Sequence, residues 1–562
     1  MAGRRTLFGI GVSAGFAAAP VVKVMEAPGF DPHEPPSTDP AGDGVRVREA
    51  MAAVAASLRE RAETASETAR PILEATAQLA SDRALAKAAD KKLKAGSGLT
   101  RAVHDAVEEY ATLLANLGGY MAERVTDLYD VRDRTICMLR GMPMPGVPDV
   151  SEPAILLACD LAPAETVGLN PEVIAGIITE GGGPTSHTAI LAAQLGIPAV
   201  VKVPGAMEIE GGDVVAIDGG TGEVVVCPTA EDVETFEARA KMREAVLAQS
   251  VGPGMTEDGY PVSLLANIGT AADAEHAAAG DVEGAGLFRT EFLFLDRDSA
   301  PSLEEQTETY AQVLRAFGTR RVVVRTLDAG ADKPLSFANL GEEENPALGR
   351  RGLRLSMARE DLMLTQLDAL AAAYEATGKE ADLRVMAPMV ATMEETTWFA
   401  ERARERGLPK VGIMIEVPAA AIRAKDLLSV ADFASLGTND LSQYTMAADR
   451  MQGALSDLLS PWQPAVLQMI KFACKGGDAT GKPIGVCGEA GGDPLLALVL
   501  VGLGVSSLSM APPKVAAVRA ALRLHSRATC QQMAAYAVDA QTASDARAAV
   551  EQLAHPRMRG LL

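Results

Sequence analysis

At 562 residues and 48% hydrophobic side chains, the chain is long and apolar enough for several globular domains that each bury a core. Its net charge of −22 at pH 7 argues against attraction of the whole chain to nucleic acid or to an anionic membrane surface. No apolar run is long enough for membrane insertion, and the six scattered cysteines lack the spacing of disulfide or metal sites, which indicates reduced thiols in the cytoplasm.

The first residues allow two interpretations. Arg4 and Arg5, followed by a short apolar segment and an Ala-rich run, are typical of an export signal. The same segment can form a first β-strand with turns at Gly9, Gly11 and Gly15. Because it is short, broken by glycine and followed by no disulfide framework, we favour the strand and a cytoplasmic protein.

A helical insertion into a small α/β domain is predicted next. The hydrophobic period is helical from residue 45 to residue 139, in about four segments with breaks at residues 96–98 and 118–119. Short apolar runs then return and alternate with short helices, at residues 154–158, 174–178, 199–201, 214–217 and 224–226. Because the N-terminal strand has the same character, the helices are predicted to interrupt one domain. A charged, proline-free helix over 229–249 connects it to the rest of the chain.

His187 has the most informative context of the six histidines. It follows a predicted strand and a run of three glycines, and a helix is predicted to start near Ser186. Free backbone amides and the positive end of the helix dipole favour a negative group on an imidazole placed there. A neutral imidazole is a competent nucleophile near pH 7 and can carry a transient N–P bond. The alternative is a histidine that caps the helix or fills the core.

Eight short apolar runs, six of them ending in a polar residue, follow the connecting helix. Helical stretches separate them, as in a parallel sheet covered by helices. Eight such units predict a closed (β/α)8 barrel with its chemistry at the C-terminal strand ends. The runs cover residues 262–267, 285–289, 321–325, 384–389, 411–416, 433–440, 484–489 and 505–510.

Four arginines are predicted on the rim of this barrel. Arg289 and Arg325 end the second and third strands, Arg351 starts a helix, and Arg450 lies in the loop after the sixth strand. The planar guanidinium group suits carboxylate and phosphate oxygens. One such arginine is usually a salt-bridge partner, but four in one mouth are hard to stabilise without an anion, so an anionic ligand is predicted.

Two carboxylates and a thiol are predicted on the same rim. Glu416 and Asp440 end successive strands, so their carboxylates can meet and hold Mg²⁺ together with substrate oxygens and water. Each taken alone could be a helix cap or a salt-bridge partner. Cys487 ends the seventh strand, where it could be a small core residue or could deliver a proton to a carbanion-like carbon.

Five motifs together resemble one enzyme family. They are Gly-Gly-Pro-Thr-Ser-His-Thr at 182–188, Gly-Leu-Phe-Arg-Thr-Glu-Phe-Leu-Phe at 286–294, Gly-Ile-Met-Ile-Glu-Val-Pro at 412–418, Leu-Gly-Thr-Asn-Asp-Leu-Ser-Gln-Tyr-Thr at 436–445 and Val-Cys-Gly-Glu at 486–489. Nearly end to end, the chain resembles enzyme I of the bacterial sugar phosphotransferase system, the phosphoenolpyruvate–protein phosphotransferases. Pro184 departs from this family, which commonly has arginine there; the loss is expected to weaken phosphate contacts.

The resemblance implies a role for each candidate residue. His187 would be the phosphohistidine intermediate, Thr166 would steady its ring, and Cys487 would donate a proton to enolpyruvate. Glu416 and Asp440 would be the Mg²⁺ ligands. The residues implied to bind phosphoenolpyruvate are Arg289, Arg325, Arg351, Asn439, Asp440 and Arg450.

The resemblance also implies the partners. The phosphoryl group would pass from His187 to a histidine of the phosphocarrier HPr, docked on the helical insertion, with release of pyruvate as the first step of sugar uptake. The barrel would form a homodimer. We therefore expect an α/β protein with a swivelling phosphohistidine domain at 1–26 and 144–228, an inserted HPr-binding subdomain at 27–143, a linker helix at 229–252, the barrel at 253–540 and a C-terminal tail at 541–562.

Two other functions are compatible with parts of the sequence. A pyruvate phosphate dikinase or phosphoenolpyruvate synthase pairs a similar histidine with a similar barrel, but it needs an ATP-binding domain before the histidine. The residues before it here are mostly helical and lack a Gly-rich phosphate loop. A non-catalytic adaptor could bind a carrier through the helical insertion, but retention of every rim group argues against it.

Overall fold

A computed structural model describes residues 3–561 except 26–29, 32, 65–69, 118–124, 143–144, 149, 151, 162–168, 184–186, 296, 330–334, 339, 342 and 451–452. The chain divides into two compact units, Met1–Ala240 and Lys241–Leu562. Each unit has buried apolar clusters of its own. The residue limits predicted for the individual domains stay predictions.

The first unit is built on an eight-stranded mixed sheet. Its strands are β1 Arg5–Phe8, β2 Ile10–Ser13, β3 Phe16–Lys23, β4 Ala154–Ala158, β5 Ile174–Thr179, β6 Ala199–Val201, β7 Val214–Asp218 and β8 Glu223–Val226. They lie in the order β1-β8-β7-β3-β4-β5-β6-β2. The N-terminal segment therefore forms strands, as favoured above. Strand β3 pairs in parallel with β4, so the intervening helices are an insertion into one domain, as predicted.

The insertion contains five helices in its described part. They are α1 Pro40–Thr64, α2 Arg70–Ala80, α3 Arg83–Lys94, α4 Leu99–Leu117 and α5 Val125–Arg140. Their apolar faces bury a common core around Val54, Leu93 and Ala102. The break predicted at residues 96–98 separates α3 from α4, whereas the break at 118–119 lies outside the described residues.

Two helices complete this part of the chain. Helix α6, His187–Leu195, follows β5, and α7, Ala230–Ala248, matches the predicted connecting helix. Phe236, the one residue of α7 that is buried among those described, stacks on Phe16 with ring centroids 5.2 Å apart. A helix so polar elsewhere suits a connecting role.

The second unit contains a closed parallel barrel, as predicted. Its strands are β9 Ser263–Ile268, β10 Gly284–Arg289, β11 Arg321–Arg325, β12 Asp382–Ala387, β13 Val411–Ile415, β14 Phe433–Leu436, β15 Ile484–Val486 and β16 Ser507–Met510. Pairing of β16 with β9 closes the ring. The prediction for 433–440 is wrong beyond Leu436, because Gly437 caps a helix that begins at Thr438.

The helices around the barrel bury its outer face. They are α8 Ala271–Ala279, α9 Leu303–Phe317, α10 Leu353–Ala358, α11 Glu360–Ala376, α12 Met393–Glu405, α13 Pro418–Ile422, α14 Ala424–Leu427, α15 Thr438–Met446, α16 Pro464–Thr480, α17 Pro494–Leu503, α18 Val515–Arg523, α19 Arg527–Asp539 and α20 Ala543–Leu553. Helix α17 shows why such segments are helical: Asp493 caps its first amides, Pro494 occupies the first turn, and Gly504 ends it at φ 112°.

The last residues continue the barrel core. Ala546 and Val550 of α20 are fully buried, and so is Met558 in the turn that follows. Within the described part of the chain, no helix is long and apolar enough to cross a membrane.

Candidate functional site

The predicted rim residues come from the carboxyl ends of four barrel strands. Arg289 and Arg325 are the last residues of β10 and β11. Glu416 directly follows β13, and Cys487 directly follows β15. Because all eight strands are parallel, these positions meet at one mouth of the barrel.

Arg351 connects two carboxylates at this mouth. Its Nη1 and Nη2 donate to the two oxygens of Asp440 at 2.7 and 3.1 Å, and its Nε and Nη2 donate to Asp328 at 3.4 and 3.3 Å. All three side chains are buried. Burial opposes ionisation of Asp328, but Arg325 and Arg351 hold its pKa below the ordinary value.

Arg325 is the second buried cation. Its Nη2 lies 2.9 Å from Glu291 Oε1, and its Nη1 lies 3.3 Å from Asp328 Oδ2. Although burial works against the charge, these carboxylates and Glu416 raise the pKa of Arg325. Its buried Nε has no hydrogen-bond partner among the described residues. An unpartnered buried donor is a place where a ligand oxygen can bind.

Glu416 is the carboxyl group that is least stable as an anion. Burial raises its pKa to about 8, with further contributions from Asp440 and Asp328, against the opposing effect of Arg325. Its Oε1 accepts a hydrogen bond from the Met389 amide at 2.9 Å. Three carboxylates thus share one enclosed space.

This donor set fits a divalent cation. A cation between Glu416 and Asp440 would replace the proton that holds Glu416 neutral, and carboxylate oxygens are the ligands that Mg²⁺ prefers. In the described ranges no cluster of three or more His, Cys, Asp or Glu side chains has metal-binding geometry. Two protein carboxylates therefore leave the remaining positions to substrate oxygens and water, as is usual for Mg²⁺.

Cys487 lies just below the mouth. Its thiol is 2% exposed, and its Sγ lies 3.6 Å from the Leu436 carbonyl oxygen. Burial raises the pKa of the thiol to about 11, and a hydrogen bond from Ser435 acts in the opposite direction. The thiol is therefore protonated near neutral pH, which is the form that can act as an acid.

The three remaining predicted substrate ligands, Arg450, Arg289 and Asn439, differ in their contacts with the buried charged residues at the mouth. Arg450 Nη1 lies 3.6 Å from Asp440 Oδ2, and the Arg450 amide donates to Gln443 Oε1 at 3.1 Å. The Arg289 side chain has no hydrogen bond or ion pair to another described residue, although its charge lowers the pKa of Cys487. Asn439 is exposed in the first turn of α15 and is not hydrogen-bonded to the cluster.

His187 is the first residue of helix α6, one residue later than predicted. Its backbone therefore lies at a helix N-terminus, after β5 and after Gly182 with φ 75°. The next residue, Thr188, donates to Asp160 Oδ1 at 3.2 Å. Thr166 and Pro184 lie outside the described residues. The roles assigned to His187 and Thr166 stay predictions.

Two site residues were missed by sequence reasoning. Asp328 forms ion pairs with both Arg325 and Arg351. Glu291 forms an ion pair with Arg325 and accepts a hydrogen bond from the Asp328 amide at 3.0 Å. The available signal was position: each follows, within three residues, a strand that ends in arginine.

Comparison with known proteins covers nearly the whole chain. Residues 243–527 match the PEP-utilising enzyme, PEP-binding domain; residues 150–222 match the mobile domain of these enzymes; and residues 8–124 match their N-terminal domain. The chain is 51% identical to the phosphoenolpyruvate-protein phosphotransferase of Streptomyces coelicolor over 97% of this chain and 98% of that protein. It is 39% identical to the protein of the same name from Haloferax volcanii over 96% and 98%, and 37% identical to that from Haemophilus influenzae over 79% and 80%.

Proposed function

Because the chain belongs to the phosphoenolpyruvate–protein phosphotransferases, we propose that its barrel mouth binds phosphoenolpyruvate and that His187 receives the phosphoryl group. The chain is an enzyme of phosphoenolpyruvate-dependent phosphoryl transfer in the sugar phosphotransferase system, and the phosphocarrier HPr is the family's acceptor.

The observation that carries the proposal is the buried charge cluster at the mouth. Arg351 and Arg325 hold Asp328 and Asp440 in a space that also encloses Glu416. The unpartnered Nε of Arg325 is a donor available within the described residues, and Arg289 ends the neighbouring strand at the same mouth. Phosphoenolpyruvate carries a carboxylate and a phosphate, whose oxygens match such donors.

The phosphoryl transfer breaks the bond between phosphorus and the enol oxygen and forms a bond between phosphorus and an imidazole nitrogen of His187. The arginines orient the substrate and neutralise charge on the equatorial oxygens. At the start of α6, free amides and the helix dipole favour the phosphoryl group once it is attached. Mg²⁺, for which Glu416 and Asp440 would be the protein ligands, would supply further charge neutralisation when bound.

The departing enolate needs a proton on carbon, and we assign it to Cys487. The thiol is protonated near neutral pH, and the S–H bond breaks as the methyl C–H bond of pyruvate forms. The thiolate that remains is then reprotonated.

The remaining proposals concern partners. The amphipathic insertion, α1 to α5, is the part of the first unit proposed to dock HPr, which then takes the phosphoryl group from His187. The barrel is proposed to form the homodimer, and the protein is proposed to work in the cytoplasm with its six thiols reduced.

Pyruvate release tests the proposal. With phosphoenolpyruvate and Mg²⁺ alone, the chain should release a burst of pyruvate equal to its own concentration; with added HPr, release should become continuous. His187→Ala should remove both phases, whereas His276→Ala, on the exposed face of α8, should leave both unchanged. Continuous HPr-dependent pyruvate release by His187→Ala at the wild-type rate would contradict the proposal.

A further inference from the structure

Cys487 is enclosed by apolar side chains inside the barrel. With 2% of its surface exposed, it shares a layer with Leu287, Val323, Met386, Met414 and Phe433. As the proton donor of the proposed function, on which this inference rests, it must regain a proton once per turnover. Hydrocarbon side chains do not carry protons, so the proton must reach the sulfur along polar atoms.

Two polar groups contact the sulfur. The thiol donates to the Leu436 carbonyl oxygen, 3.6 Å from Sγ. Ser435 pairs across the strands with Gly485, two residues before Cys487, so the two side chains lie on the same face of the sheet, and hydrogen bonding from the Ser435 side chain lowers the pKa of the thiol. A carbonyl only accepts, but a hydroxyl can donate one proton while it accepts another. Of these two contacts, Ser435 is therefore the one that can resupply the thiol.

Ser435 also lines a cavity inside the barrel. The cavity has a volume of about 350 Å³ with its open mouth included, and its wall includes Ser507, Ser509, Gly286 and Gly485. Barrel interiors are usually filled by bulky branched residues. Here serine and glycine leave a polar space instead. Most of the stated volume belongs to the open mouth, and the enclosed part is large enough for about one water molecule. The same hydroxyl thus borders both the thiol and the cavity.

The cavity lies toward the N-terminal strand ends, away from the substrate site. Arg321, the first residue of β11, and Arg384, near the start of β12, line it. Asp382 Oδ2 accepts from Arg384 Nη2 at 2.8 Å and from Arg321 Nε at 3.5 Å. Charged groups favour hydration of this end, which lies opposite the proposed substrate site.

A second polar chain fixes the thiol against the same wall. Ser509 Oγ donates to Asn267 Oδ1 at 2.6 Å, and Asn267 Nδ2 donates to the Cys487 carbonyl at 3.2 Å. Ser509 and Ser435 both line the cavity. The Cys487 backbone is therefore connected to the cavity wall through Asn267 and Ser509, and the Cys487 thiol is connected to it through Ser435.

We propose that water entering from the N-terminal end of the barrel resupplies the Cys487 proton through Ser435. After the S–H proton has gone to the enolate carbon, the thiolate takes the Ser435 hydroxyl proton. The Ser435 oxygen takes a proton from the cavity water, and that water regains one from bulk solvent. One solvent proton is consumed per pyruvate, and the route works while product still covers the mouth.

Isotope trapping measures this route directly. The full-length protein is equilibrated in D₂O with Mg²⁺, mixed into excess H₂O that contains phosphoenolpyruvate, and quenched after the first turnover. Deuterium in the methyl group of pyruvate, read by mass spectrometry, reports how much of the original thiol deuteron survived exchange. Rapid exchange through the cavity predicts little deuterium for the wild type.

Two variants close the route at different places. Ser435→Val removes the relay hydroxyl, and Ser507→Val fills the cavity away from the thiol. Both should retain severalfold more deuterium than the wild type. Ser506→Ala is the matched control: this serine lies at the same end but donates to the Ile484 carbonyl at 3.0 Å, so its retention should equal the wild type. A merely structural role predicts slower turnover without greater retention.

The outcomes separate this inference from the proposed function. Wild-type retention in either Ser435→Val or Ser507→Val, with thermal melting unchanged, would overturn the route through the cavity. Cys487→Ala distinguishes the two proposals: if it forms pyruvate at the wild-type rate, Cys487 is not the acid and the proposed function fails at that step. If it is slow while both valine variants behave as wild type, only the relay fails.

Discussion

Replacing Glu416 by glutamine should stabilise the barrel while it removes activity. The Glu416 side chain is 1% exposed, and its pKa of about 8 lies well above the ordinary 4.5 because of burial and of the nearby Asp440 and Asp328. At pH 7 the unfolded chain ionises this group, so folding requires uptake of a proton. The 2.5 pH units between 4.5 and 7 correspond to a cost of about 3 kcal/mol.

The sign of the effect follows from the direction of the pKa change. Because the folded pKa is higher than the unfolded one, the native state binds more protons between pH 4.5 and 8, and the free energy of unfolding falls across that range. The cost is absent below pH 4.5 and levels off above pH 8 at about 5 kcal/mol. Glu416→Gln removes the titrating carboxyl group and keeps an oxygen that can accept the hydrogen bond from the Met389 amide.

The assay is urea unfolding of both proteins from pH 4 to pH 9 without divalent cations. Glu416→Gln should exceed the wild type by about 3 kcal/mol at pH 7 and match it near pH 4. Glu291→Gln, which weakens a buried pair with Arg325, is the control of opposite sign and should be less stable than the wild type. An equal or smaller free energy of unfolding for Glu416→Gln at pH 7 would refute the reasoning.

Three further outcomes are expected. Arg351→Met should lower the free energy of unfolding by about 3–5 kcal/mol, because it leaves the buried carboxylates of Asp328 and Asp440 without their cation. Arg350→Met, at the adjacent exposed residue, should lower it by at most about 1 kcal/mol. A similar loss for both variants would contradict the charge cluster. Cys487→Ala should slow pyruvate formation by about 10²- to 10⁴-fold in a coupled assay. His525 is buried with its pKa lowered, and its ring accepts a hydrogen bond from the His555 amide, so the stability that this residue contributes should be lost as the pH drops below about 6.5. The melting temperature of the wild type relative to that of His525→Gln should therefore fall over that range in thermal unfolding.

Much of the barrel was predictable because its strands are short and apolar throughout. Val411–Ile415 is buried at all five positions, which only a strand covered on both faces requires. Strand ends were less predictable. The polar residues after Leu436 suit the end of a strand and the first turn of a helix equally well, and here Gly437 ends the strand and caps a helix that begins at Thr438.

The candidate site shows the same limit. The resemblance implies that Asn439 and Asp440 both bind the substrate. Neighbouring residues on a helix point about 100° apart, however, so that Asp440 is buried and Asn439 is exposed. Asp328 and Glu291 lie shortly after strand ends, a position that does not by itself identify a site residue. Only packing, which brings Arg325 and Arg351 onto them, reveals them as members of the site.

The most direct measurement is the location of the phosphoryl group after incubation with labelled phosphoenolpyruvate and Mg²⁺. A label that is stable to base and labile to acid, and that fragmentation of the labelled peptide locates on His187, is the predicted result. A label on any other residue, or pyruvate release with no labelled histidine, would contradict the account.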